Sequence, residues 1–303
     1  MLSHDVSRYI ALNHAIGLKF KVQTYLLRSF AAFAEQRGEG RVHTQTVLDW
    51  AALGPSARTR RGRLLTIRRF AEAMQAEDER HEIPPADAFG CRPHRYMPHI
   101  FTNEQVRNLI RAARKLKPRR SFRPIMYSTL FALLATTGLR ISEALYLQIA
   151  DVTADGLLIR ATKFRKSRLV PLHDTAQQAI NHYLAARARI NPVASEVFVS
   201  RQGTRLPYTT VHAVFRKLLR SVGLLNEPGR GGPRIHDLRH AFAIHALERF
   251  AGNRQGVSQH TLALSTYLGH VGVSSTYWYL QATPKLLQDI ATATENLHEG
   301  GCR

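Results

Sequence analysis

The feature that most limits how this chain can fold is a break at residues 83–98. Pro84, Pro85, Gly90, Pro93 and Pro98 fall within it. Each proline lacks an amide hydrogen and fixes its own φ, so no long helix runs through such a segment. In a chain of 303 residues, where domains average roughly 150 residues, one strong interruption predicts two folding units. The reading is a first domain over 1–90, a linker over 91–98 and a second domain over 99–303.

On either side the pattern is mostly helical. In the first domain Tyr25, Leu26, Phe30 and Phe33 recur at helical spacing, and Val47, Trp50 and Ala51 predict a short helix. Leu64, Leu65, Ile67, Phe70 and Met74 form a further apolar stripe, preceded by the basic run Arg58, Arg60, Arg61, Arg63. That run reads as either a phosphate grip or a solvated face. In the second domain Thr102 is placed to cap a helix through Val106, Leu109 and Ile110. A buried helix is expected near 125–135, and further helices near 174–189, 209–222, 234–250, 258–268 and 284–296. Two strands are expected, at 157–160 and 168–172, joined by a polar basic hairpin or loop. The fold class is therefore mainly α with a small β-sheet.

Charge narrows the partners. There are 43 Lys and Arg against 22 Asp and Glu, a formal net charge of +21. Up to Arg95 there are 15 basic and 10 acidic residues, a net +5, while the remainder holds 28 and 12, a net +16. An excess of this size repels itself and calls for a polyanion, nucleic acid first, since each neutralised phosphate releases counterions. No apolar run approaches the ~20 residues that span a bilayer. The first residues, Met1–Asp5, lack the basic-then-apolar pattern of a secretory signal. Cys91 and Cys302 are far apart and suggest no disulfide framework. A cytoplasmic, DNA-associated protein without a membrane partner is expected.

Three segments carry candidate chemistry. Ala135–Leu145 reads as a helix that stops at Gly138 and a short helix that starts at Arg140, with Glu143 three residues on to hold the guanidinium. In Pro233–Phe242, His236, Arg239 and His240 share one helix face. His236 and His240 also have the spacing of a two-histidine zinc site, but Asp237 stands where the metalloprotease pattern has Glu, and Arg239 would bring positive charge to the metal. In Leu268–Leu280, Tyr277, Trp278 and Tyr279 alone would read as aromatic packing.

Together the three segments resemble the tyrosine recombinases, or phage-integrase family. Thr137-Gly138-Leu139-Arg140-Ile141-Ser142-Glu143 is similar to the family's first box, and His236-Asp237-Leu238-Arg239-His240 to its second, His-x-x-Arg-His. Leu268-Gly269-His270 precedes Tyr279 by the family's spacing, and Thr162–Leu172 resembles its lysine turn. The resemblance covers residues 98–296. It implies a helical core-DNA-binding domain before the linker and a catalytic domain after it. It further implies Arg140, Lys163, His236, Arg239, His270 and the nucleophile Tyr279 as catalytic residues, with Lys166 and Tyr277 as the alternatives for lysine and tyrosine. Residues 275–284 look like recombinases encoded by transposons.

The implied chemistry suits these residue types. A phosphodiester repels nucleophiles, so two permanently charged, planar guanidiniums would neutralise it and the transition state. His236, with an ordinary pKa of ~6.5, would take and return the tyrosine proton. Lys163 would protonate the departing 5′ oxygen, leaving the 3′ phosphate on Tyr279. No nucleotide cofactor or catalytic metal is implied. Partners would be duplex DNA sites and a tetramer assembled on them. Strand relaxation by a type IB topoisomerase, and a DNA-binding accessory protein with an idle site, are the other functions considered.

Overall fold

A computed structural model of the chain describes residues 1–90, 97–119, 121–160, 167–225, 232–249 and 254–269, with 254–258 described by backbone alone. Two compact units are present, Met1–Tyr96 and Met97–Arg303. Within the second unit, the described residues end at 269.

The first unit is built from α1 (Leu2–Ala15), α2 (Lys21–Glu35), α3 (Thr44–Ala52) and α4 (Ala57–Gln75). Its core joins Leu2, Val6 and Ile10 of α1 to Leu27, Phe30 and Ala34 of α2, Val47 and Trp50 of α3, and Leu64, Ile67, Phe70 and Met74 of α4. The buried face of α2 runs through Leu27 and Ala31, one residue round from the apolar stripe in the sequence, so Tyr25 is exposed. The aromatic rings meet edge on, Tyr9 against Phe70 at 5.3 Å and Phe30 against Trp50 at 5.5 Å. Ser56 caps α4 by accepting from the Thr59 amide at 3.2 Å, which satisfies one of the helix's orphan donors.

The second unit begins with α5 (Asn103–Arg114), started by a reciprocal capping box between Thr102 and Gln105. α6 (Arg123–Thr137) is the central element. Ten of its fifteen residues are buried, and it packs against α5, α8 (Asp174–Ala188) and α10 (Ile235–Glu248). A helix buried on so many sides needs apolar residues around most of its circumference, as Met126, Leu130, Phe131, Leu133 and Leu134 provide. The short α7 (Ile141–Leu145) follows, then an antiparallel sheet in the order β1 (Val152–Thr153), β2 (Gly156–Ile159), β3 (Arg168–Val170). In its register Leu157 faces Val170 and Ile159 faces Arg168. α9 (Tyr208–Ser221) and α11 (Arg254–Leu268) complete the described part.

β1 has no counterpart among the expected strands. Two residues are too few for an alternating pattern to register, and their pairing with β2 defines them. The expected helix at 284–296 lies outside the described residues. Among those described, no helix is long and apolar enough to cross a membrane.

Candidate active site

The site starts where α6 stops. Gly138 takes a left-handed conformation with φ +62, and a Cβ there would stand 2.5 Å from the Phe242 ring. Both backbone angle and space demand glycine. The chain turns, and Arg140 becomes the residue that precedes α7. Its amide donates to Glu143 Oε2 at 2.9 Å and its guanidinium to Glu143 Oε1 at 2.7 Å. Glu143 therefore holds Arg140 at both ends, and the guanidinium contact is the one the three-residue spacing predicts.

Glu143 also holds a second arginine. Arg168, the first residue of β3, donates to Oε1 at 3.1 Å and to Oε2 at 2.8 Å. Burial of the Glu143 carboxyl raises its pKa, but the bonds and charges of Arg168 and Arg140 outweigh this and bring it below the usual glutamate value. The carboxylate is ionised in the folded protein and bound by two cations.

Arg239 comes from the middle of α10 and is 2% exposed. It donates to the Gly138 carbonyl and to the Leu268 carbonyl, both at 2.7 Å. The adjacent carbonyls at the end of α11 are taken by the other two arginines. Arg168 Nε donates to Tyr267 at 2.8 Å, and Arg140 donates to Gly269 at 3.0 Å. Three successive carbonyls, at 267, 268 and 269, thus accept from arginines of three different elements. A helix C-terminus presents unpaired carbonyls with partial negative charge, and cations suit it.

His236 and His240 stand one turn apart on α10, their rings edge to face at 4.8 Å. His236 is exposed on one side, yet the protein packed around it, followed by the charges of Arg239 and Arg140, lowers its pKa. It is therefore neutral at pH 7 and able to accept a proton. His240 is pushed down to about 4 by burial and by His236. The zinc spacing is met by these two rings, but no group of three His, Cys, Asp or Glu side chains among the described residues could hold a metal ion. Asp237 accepts from the Arg234 amide at 2.9 Å and so serves the start of α10.

Of the expected site residues, Arg140, His236 and Arg239 are brought together at the ends of α6 and α11. Lys163 and the alternative Lys166 lie outside the described residues, as do His270, Tyr279 and the alternative Tyr277. β2 and β3 flank the lysine segment, and the Gly269 carbonyl on Arg140 belongs to the residue just before His270. The residue that sequence reasoning missed is Arg168. It sits in a strand pattern next to a basic loop, and nothing local distinguishes it from a solvated cation. In the first unit's basic run, Arg60 donates to the Gly54 carbonyl at 2.9 Å, and Arg63 donates to the Trp50 carbonyl and lies over the Trp50 ring. These two arginines are engaged locally.

The chain is similar to known proteins along most of its length. The Phage integrase family model matches residues 99–285. The protein named "Putative integrase/recombinase y4rB" of Sinorhizobium fredii is 36% identical over 304 residues, covering 97% of each chain. Tyrosine recombinase XerC of Chlamydia trachomatis is 32% identical, covering 80% of this chain and 74% of that one. The fold is similar to that of XerH site-specific recombinase bound to palindromic difH substrate, with a TM-score of 0.68 at 18% identity, covering 91% of this chain and 79% of that one. It is also similar to the Tn1549 transposon integrase in complex with transposon right end DNA, with a TM-score of 0.65 at 17% identity and coverage of 92% and 94%. The chain belongs to the phage integrase family and is a tyrosine-type site-specific DNA recombinase.

Proposed function

We propose that this recombinase cleaves and rejoins DNA through a covalent 3′-phosphotyrosine on Tyr279 and exchanges strands between two duplex sites. The observation that carries the reading is the convergence of Arg140, His236 and Arg239 on one place, beside the residue that precedes His270. Arg140 and Arg239 supply fixed positive charge for a phosphate that must accept a further oxygen. The neutral His236 takes the proton as the Tyr279 oxygen bonds to phosphorus. The bond to the 5′ oxygen breaks, and Lys163 protonates that oxygen as it leaves. His270 donates to the same phosphate. The phosphotyrosine conserves the bond's energy, so a 5′ hydroxyl from the other duplex reverses the step, and no nucleotide is consumed.

The first unit would act as a core-DNA-binding domain, the segment near 91–98 as its linker and the second unit as the catalytic domain. The function would be exercised in the cytoplasm, by a tetramer assembled on DNA, in the service of a mobile element. The similarity to the Tn1549 integrase on transposon end DNA supports the last point, and a lambda integrase tetramer bound to a Holliday junction supports the assembly.

The test is to express the chain in bacterial cells, recover DNA covalently attached to it and sequence the ends. The expected result is a discrete site joined through its 3′ phosphate. Tyr279→Phe abolishes the adduct and Tyr277→Phe retains it. An adduct that survives Tyr279→Phe removes the assignment of the nucleophile. Recovery of no adduct favours an idle DNA-binding protein, and relaxed plasmid without joined duplexes favours a topoisomerase.

A further inference from the structure

Among the carbonyl-bound arginines described in the second unit outside the expected catalytic set, Arg187 and Arg168 differ in what they touch. Arg187 of α8 is 5% exposed, and its described bonds go to the carbonyls of Ala194, Glu196 and Val197, far in sequence from every site residue. It fastens a loop. Arg168 instead divides its donors between the carboxylate that holds Arg140 and a carbonyl of the α11 terminus. It also packs on Gly269, where a Cβ would stand 3.0 Å from its guanidinium and where φ is +67.

We propose that Arg168 is a positioning residue of the recombination reaction, which acts through Glu143 to fix Arg140 and through the Tyr267 carbonyl to fix the end of α11. The proposal rests on the function proposed above. Its physical basis is the occupancy of one carboxylate. Oε1 accepts from Arg140 and Arg168, and Oε2 accepts from the Arg140 amide and Arg168. Glu143 has a side chain only 8% exposed, and without Arg168 it would keep half its donors in a place that water hardly reaches. A buried carboxyl so deprived protonates more readily, and one oxygen then becomes a donor facing another donor.

The other groups near this pair are known. His236 of α10 senses both Glu143 and Arg140, and the Tyr267 phenol of α11 senses Arg168 and Arg239. α6 and α9, which also pack on α7, place no hydrogen-bonding or ion-pairing side chain on Glu143 among the described residues.

The experiment uses the full chain and a nicked duplex bearing the site recovered from cells. Adduct formation is followed at saturating DNA between pH 5 and 8. Loss of a charge-assisted fork predicts that Arg168→Gln slows the wild-type rate by about 10- to 100-fold while DNA affinity is unchanged. The deficit relative to wild type widens as pH falls, because Glu143 takes up a proton in the variant alone. Adding Glu143→Gln to Arg168→Gln removes the widening, and Arg168→Lys, which keeps the charge, does not show it. A wild-type rate in Arg168→Gln, or a deficit that is the same at every pH, overturns the proposal. If Arg168→Gln does not fold, Arg168→Lys decides: a slower adduct at unchanged affinity supports the role, and a wild-type rate refutes it. Absence of adduct from the wild-type chain is a different failure, and it takes the recombinase mechanism down with the inference.

Discussion

The two units treat charge in opposite ways. Among the described residues of the first, the buried polar side chains are Thr46 and His81, and the ion pairs, such as Arg37 with Asp49 and Arg41 with Asp78, lie at the surface. The second unit buries Arg187, Arg239, Asp151 and Asp237. A buried charge costs several kcal/mol unless it is paired and hydrogen-bonded. In the second unit that cost is met by the carbonyls of two helix ends for Arg239, and close by Glu143 lies between two arginines. Nothing about forming a stable helical unit requires this, as the first unit demonstrates. The difference teaches that the second unit spends stability to hold cations in fixed places, which the proposed mechanism would use on a phosphate.

The contrast can be broken first through the apolar core. Phe70 is fully buried and meets Tyr9 edge on. Phe70→Ala is expected to destabilise the first unit by about 3–5 kcal/mol. Chemical denaturation would show this as a lost or much earlier transition. If both units shift equally, they do not draw their stability from separate cores.

A smaller effect, on chemistry rather than folding, is expected from Arg239→Lys. An ammonium cannot reach the Gly138 and Leu268 carbonyls and still present a planar fork. Removal of one such donor typically costs about 10²–10³ in rate. Single-turnover adduct formation measures this, and a rate within threefold of wild type would mean that the buried arginine only fastens α10.

The third prediction concerns acid. The folded pKa of His240 is about 4, against ~6.5 in the unfolded chain. Between these values the unfolded state binds more protons, so stability is full above ~6.5 and declines as pH falls toward 4. Urea midpoints at pH 7 and 5 should therefore differ more for wild type than for His240→Gln. The slope should shrink without vanishing, because His236 is lowered too. An unchanged slope would show that His240 is not held neutral by its surroundings.

The smallest effect should come from the first unit's surface. Arg37 donates to Asp49 at 2.7 Å, but both side chains are well exposed. Water and salt screen such a pair. Arg37→Ala is expected to leave the urea midpoint where it is, and a clear shift would mean that the first unit also relies on charge.

Much of this architecture is legible in the sequence. Gly138 as a helix stop, Thr102 as a cap and Glu143 as the partner of Arg140 each follow from a local rule, and each is found. Tyr25 did not follow, because a stripe of apolar residues at helical spacing can be placed one residue out of register with the true core face. Arg168 did not follow either, because its partners are 25 and 99 residues away. Lys163, His270 and Tyr279 rest on the family pattern, as do their assigned roles.

The sequence alone thus determined the break near 83–98, the helical periodicities and the boxes around Arg140, His236 and Arg239. These are short-range properties, set by backbone preference and by which residues share a helix face. Only the tertiary structure decided that three arginines from separate elements meet the successive carbonyls of Tyr267, Leu268 and Gly269, and that one carboxylate serves two of them. Burial and distance between residues remote in the chain create those bonds. No local pattern encodes them, because their energy depends on the water that folding excludes.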